Sequence, residues 1–232
     1  MADDIFLTQE EQDERAKKWL RENGPAILIG IVLGLVGIYG YDEYRIYQIK
    51  QAERASLAYS QVLELTEGSE LADISAHVEE LKSDYKGTPY AAKAALLKAK
   101  QLMATDMDAA LAELDWALEH ADERPVWHAA NIRKAKLLIA QEKTEQALAI
   151  AKQEPYEGFA SQYYEVLGDA YAQSGDAEQA ANAYQMSIDA LSPADAGYAR
   201  ILTLKQNQLS SNVDAESATQ ADDNATSSAV DE

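Results

Sequence analysis

The sequence predicts an all-α protein: a single N-terminal transmembrane helix, then an α-solenoid of stacked helical pairs, then a disordered acidic tail. Three observations carry this. The stretch from Gly24 to Tyr41 is apolar and uncharged. Beyond it, apolar residues recur at three-or-four spacing between short Gly-, Pro- or Asp-bearing breaks. No run alternates apolar and polar residues between hairpin turns, as strands would. Composition agrees, with 5 Pro, 11 Gly and an abundance of Ala, Leu, Glu and Gln in 232 residues.

Composition also excludes classes of function. The chain has 20 Lys+Arg against 40 Asp+Glu, a formal net charge of −20. That balance opposes nucleic-acid binding, which needs clustered cations against phosphate. With 0 Cys there is no disulfide, thiolate nucleophile, Cys-ligated zinc or lipidated N-terminal Cys.

As a helix, Gly24 to Tyr41 spans roughly 27 Å at about 1.5 Å per residue, close to the hydrocarbon thickness of a bilayer. Trp19 precedes it, and Tyr39, Tyr41 and Tyr44 lie at its far end, where interfacial aromatics belong. A buried core helix is the first competing reading, disfavoured by the length of the run without a polar face. A cleaved secretory signal is the second. Asp3, Asp4, Glu10, Glu11, Asp13 and Glu14 oppose it, as do the bulky Ile38, Tyr39 and Tyr41, although Gly40 could precede a cut. Arg15, Lys17, Lys18 and Arg21 before the span, against Arg45, Lys50 and Arg54 after it, favour a cytoplasmic N-terminus. The expected organisation is therefore a cytoplasmic segment over residues 1–22, a membrane helix over 23–41, a periplasmic helical domain over 42–209 and an acidic tail over 210–232. Gly30, Gly34 and Gly37 fall on one side of the span, where another membrane helix could approach the backbone closely.

No Gly or Pro interrupts the chain from Tyr41 to Glu67, so the membrane helix is expected to continue into the first helix of the domain. Its apolar stripe reads Tyr44, Tyr47, Ala52, Ala55, Tyr59, Val62 and Leu63. Gly68 ends it. Leu71, Ile74, Val78, Leu81 and Tyr85 mark the second helix, and Thr88-Pro89 caps and starts the third. Further breaks fall at Thr105-Asp106, Glu123-Arg124-Pro125, Glu142-Lys143, Glu154 to Gly158, Ser174-Gly175-Asp176 and Ser192-Pro193. From Ser210 the chain turns to small polar residues with acids and no base, a composition that remains disordered.

The segment Tyr164-x2-Leu167-Gly168-x2-Tyr171, with Ala180, Tyr184 and Pro193 following, resembles the tetratricopeptide repeat. Small residues at Gly168 and Ala180 let paired helices approach, while Tyr164, Leu167, Tyr171 and Tyr184 fill the space between them. Ser187 stands where Ala is usual, and Pro193 falls one residue late. Ala147-Leu148 and Ala110-Leu111 echo the second-helix Ala in more degenerate units. Such an array offers a concave surface lined by the first helix of each pair. On it Gln162, Glu165, Asp169 and Gln173 would face a partner, one with basic or unfolded segments given their character. A merely solvated polar face is the competing reading.

No catalytic constellation or cofactor site is legible. His77, His120 and His128 lack paired-ligand spacing, Asp106-x-Asp108 lacks the rest of a calcium loop, and no phosphate loop or nucleophile elbow occurs. The chain reads as a non-enzyme with no cofactor.

The run Lys17-Lys18-Trp19-Leu20-Arg21-Glu22-Asn23-Gly24, the Gly-patterned span, Ala55-Ser56-Leu57-Ala58-Tyr59 and Thr88-Pro89-Tyr90-Ala91-Ala92 together resemble the YfgM-type family of ancillary SecYEG translocon subunits. The likeness covers roughly residues 10–209. It implies an inner-membrane protein with a periplasmic domain, partnered by SecYEG and a PpiD-type folding factor. The implied role is to scaffold the passage of unfolded translocating proteins to periplasmic chaperones. Two other classes stay open: an adaptor in cell division or outer-membrane assembly, and a stress-response regulator acting through the cytoplasmic segment.

Overall fold

The computed structural model describes residues 9–66, 71–153 and 158–209. The expected acidic tail and the expected helix stop at Gly68 lie outside them. Among the described residues the chain is helical, without strands. It forms two compact units, Met1–Arg54 and Ala55–Glu232.

The first unit is the greater part of α1, a helix that runs unbroken from Gln9 to Thr66. The helix begins well before the apolar run and carries Pro25 inside it. Pro25 has no N–H to donate to the preceding turn. Near it, the Asn23 amide donates to the Trp19 carbonyl at 2.9 Å. The apolar window is long and hydrophobic enough to cross a bilayer, and none of it is buried within the protein. Tyr44 and Tyr47 are exposed, so the expected stripe does not begin there. Burial starts at Ala55, where the second unit starts.

In the second unit, Ala55, Ala58 and Val62 of α1 pack with Ile74, Val78 and Leu81 of α2 (Leu71–Asp84) and with Ala91 and Ala94 of α3 (Pro89–Leu102). A neighbouring side of α3 joins α4 (Met107–His120) and α5 (Arg124–Ala140) through Ala95, Ala99, Leu114, Ala117 and Ala130. Ile132, Ala135 and Leu138 of α5 carry the core on to α6 (Thr144–Ala151) and α7 (Ala160–Gln173). Ala180 and Tyr184 of α8 (Ala177–Asp189) close it against Leu202 of α9, residues 199–209. From α2 to α8 each helix thus packs on its chain neighbours, and α5 also packs on α3 and α7. That is a solenoid, whose core is a series of overlapping clusters. Alanine dominates the buried apolar residues, and a side chain of one carbon is what lets paired backbones approach closely.

The connections follow local chemistry. Asp106 and Asp176 accept from the backbone N–H of Ala109 at 2.9 Å and Gln179 at 3.1 Å, capping α4 and α8. Thr88 departs from expectation. It occupies the cap position of α3 with extended backbone, but its hydroxyl donates to the Tyr85 carbonyl at 2.8 Å and caps nothing. α5 and α7 end alike. Lys143 N–H reaches Leu138 O at 2.9 Å and Glu142 N–H reaches Ile139 O at 2.9 Å; Asp176 N–H reaches Tyr171 O at 3.0 Å and Gly175 N–H reaches Ala172 O at 3.2 Å. Both are Schellman closures, which place the intervening residue in the left-handed region. Gly175 takes it at φ 80°, and Glu142 takes it at φ 62°.

Candidate protein-interaction site

The residues of the repeat signature lie on α7 and α8. Gly168 is buried on α7 directly beneath the ring of Tyr184 on α8, and Ala180 is fully buried beside it. Tyr171 is half-buried on the same cluster, and Leu167 on the cluster toward α5 and α6. Tyr164 is half-buried, like Leu167 and Tyr171, and the aromatic sealed into the core is its neighbour Tyr163. Tyr163 donates or accepts at 2.9 Å with His128 Nδ1, and the His128 ring stacks on Phe159 at 4.8 Å. Ser187, at the usual Ala position, donates to the Ser161 carbonyl at 2.8 Å and meets the Ser161 hydroxyl at 3.1 Å.

The four residues expected on the partner-facing side of α7 separate into different roles. Gln162 is exposed. Glu165 is 3% exposed and is no free surface acid. Its Oε2 accepts from Lys136 Nζ of α5 at 2.8 Å, and its Oε1 accepts from Lys205 Nζ of α9 at 2.8 Å and from the Tyr198 hydroxyl at 2.9 Å. Asp169 accepts from Lys205 Nζ at 2.7 and 3.0 Å and from the Tyr184 hydroxyl at 2.8 Å. Gln173 serves the stack: it donates to the Ile139 carbonyl at 2.9 Å and accepts from Thr144 Oγ1 at 2.8 Å.

Electrostatics follow from this packing. Burial alone would push the Glu165 carboxyl up, but the hydrogen bonds and charges of Lys136 and Lys205 hold it below its ordinary range. Burial would pull Lys205 down, and Asp169 and Glu165 raise it instead. Burial raises Tyr184 strongly, helped by the charge of Asp169. An ionic ladder therefore runs from α5 through α7 to α9. Next to it lies a cleft of about 440 Å³ whose walls include Lys136, Gly158, Gln162, Glu165, Leu191 and Tyr198. Gln162 and Glu165 are brought together there; Asp169 and Gln173 do not line it.

Sequence reading missed Lys136, Lys205 and Tyr198. One signal was available: Tyr198-x2-Ile201 repeats Tyr164-x2-Leu167 one repeat length of about 34 residues later, which marks α9 as the first helix of a further unit.

The other expected contact face, Gly30, Gly34 and Gly37, packs against nothing among the described residues: a Cβ at each would have no neighbour there within 4 Å. Among the described residues, no group of three or more His, Asp or Glu could hold a metal ion. His120 stacks on Trp116 at 4.0 Å, and His77 lies 3.8 Å from Glu80.

A family described as a tetratricopeptide repeat-like domain matches residues 17–211. Three relatives carry the name "Ancillary SecYEG translocon subunit". That of Escherichia coli K12 is 26% identical over 89% of this chain and 99% of its own length. That of Haemophilus influenzae is 24% identical over 78% and 89%, and that of Neisseria gonorrhoeae 23% over 88% and 98%. No solved structure gives a significant match. The chain belongs to this tetratricopeptide repeat-like family, in its YfgM-type branch.

Proposed function

From that membership we propose that the chain is a non-enzymatic accessory subunit of the Sec translocon. It is anchored in the inner membrane by the span at 23–41, with its N-terminus cytoplasmic and residues 42–209 in the periplasm. The observation that carries the reading is the similarity to proteins named as ancillary SecYEG subunits, over 89% of this chain and 99% of the Escherichia coli relative. The helical domain supports it as a scaffold, because a solenoid of paired helices exposes extended faces without needing a reactive centre. Its finer role is to pass emerging unfolded chains from SecYEG to periplasmic chaperones, beside a PpiD-type folding factor. In the membrane, Gly30, Gly34 and Gly37 are its contact face for a translocon helix.

The test is a mild-detergent pull-down of the tagged full-length protein, with partners identified by mass spectrometry. Recovery of SecYEG and a periplasmic folding factor is the expected result. Recovery of division or outer-membrane assembly proteins without Sec subunits would overturn it in favour of an adaptor elsewhere in the envelope.

A further inference from the structure

α9 closes the solenoid through an apolar contact and an ionic one. Leu202 is its one fully buried side chain, set against Ala180 and Tyr184. Lys205, one turn on, reaches Glu165 at 2.8 Å and Asp169 at 2.7 Å, and the Gln206 amide donates to the Ala181 carbonyl at 3.1 Å. Ile201 and Leu204, on its other side, are 46% and 55% exposed. The attachment thus includes one sealed apolar anchor with half-buried Leu209 on the same cluster, a cation that sits between two carboxylates and 5.8 Å from the centre of the Tyr184 ring, and the Gln206 amide. Every partner named lies on α7 or α8.

A contact of this make-up is exchangeable. The cost of desolvating Lys205, Glu165 and Asp169 offsets much of their attraction, so the ionic part contributes specificity more than strength. An incoming helix with an apolar residue one turn before a Lys or Arg would make the same bonds. With α9 away, Glu165 keeps Lys136 and Asp169 keeps Tyr184, but both lose their shared cation. The face is then acidic, on a chain already strongly negative, and selects a basic partner.

We propose that the Glu165–Asp169 face of α7 is a docking groove for a basic amphipathic helix of a partner protein, and that α9 is the chain's own displaceable occupant of it. Lys205 stands in for the partner's cation and Leu202 for its apolar anchor. Occupancy by α9 raises the apparent dissociation constant by the inverse of the open fraction, so loosening α9 tightens binding of the partner helix. The groove is defined by this chain alone, so its failure would leave the translocon reading intact.

The experiment uses the full-length protein in detergent micelles and a fluorescein-labelled peptide with the sequence of residues 196–210. Loosening α9 by Leu202→Ala with Lys205→Ala should tighten peptide binding about tenfold or more over the unsubstituted protein. A peptide with its lysine changed to glutamate should lose that affinity, a control that does not depend on any groove variant folding. Adding Glu165→Gln and Asp169→Asn to the loosened protein should weaken binding about tenfold. In the unsubstituted protein, amides of 199–209 should exchange with deuterium about tenfold or more faster than those of α7. Equal protection of α9 and α7, or no gain in affinity on loosening α9, would overturn the proposal.

Discussion

Gly168 of α7 and Tyr184 of α8 meet so closely that a Cβ on Gly168 would lie 2.5 Å from both Cδ1 and Cε1 of the tyrosine ring. The ring cannot swing aside freely, because its hydroxyl is tied to Asp169 at 2.8 Å. This pair sets the spacing of the last complete helical pair.

Gly168→Ala should therefore destabilise the domain, although alanine is the better helix former, by about 1–3 kcal/mol of overpacking. Thermal melts of the variant check it. The cost should shrink in a Tyr184→Leu background, and a double-mutant cycle should show coupling between the two positions. An unchanged melting temperature for Gly168→Ala would show that the helices are not in this register.

Ser187 and Ser161 form a fully internal polar pair where alanine is usual in the repeat. Ser187→Ala alone should cost about 1–2 kcal/mol, because Ser161 then loses its buried partner. Removing both hydroxyls should cost less than the sum of the single changes, read by denaturant midpoints.

Glu142 holds a left-handed conformation at the end of α5, where the matching position after α7 is Gly175. A side chain with a Cβ is strained there and glycine is not. Glu142→Gly should stabilise the domain by about 0.5–1 kcal/mol, while Gly175→Glu should destabilise it by at least as much. Chemical denaturation of both variants gives the sign.

Burial, with the nearby charge of Arg124 adding to it, holds the His128 imidazole below its ordinary pKa. The unfolded chain then takes up the proton first. Stability is retained above about pH 6.5 and falls as pH drops from there toward the folded-state pKa. Unfolding midpoints between pH 7 and 5, which are about the relevant limits, should decline in the unsubstituted protein and decline less in His128→Gln.

Leucine at Gly30, Gly34 and Gly37 meets open space among the described residues, so the triple change should leave the melting of the helical domain unaltered. It should nonetheless reduce co-purification of a membrane partner, since bulk on that face keeps another helix away. Undiminished recovery would move the contact to another side of α1.

The sequence alone determined what depends on near neighbours. The uncharged run marked an apolar helix long enough to cross a bilayer, three-and-four spacing marked the helices, and Pro89, Pro125, Asp106 and Gly175 marked where they start and stop, because each acts within a turn or two of itself. The repeat signature around Gly168 is local in the same way, and Gly168 lies against Tyr184 of the next helix. Tyr163 and Tyr164 could not be told apart by that means, since adjacent helical positions differ only in which neighbouring helix they meet. Nor could Glu165 be recognised as a buried acid. Lys136 and Lys205 come from helices before and after it, and nothing local in the sequence encodes their approach. Only the stacking of α5, α7 and α9 sets those charges together and turns an apparently solvated acidic face into a ladder with its own cation in place.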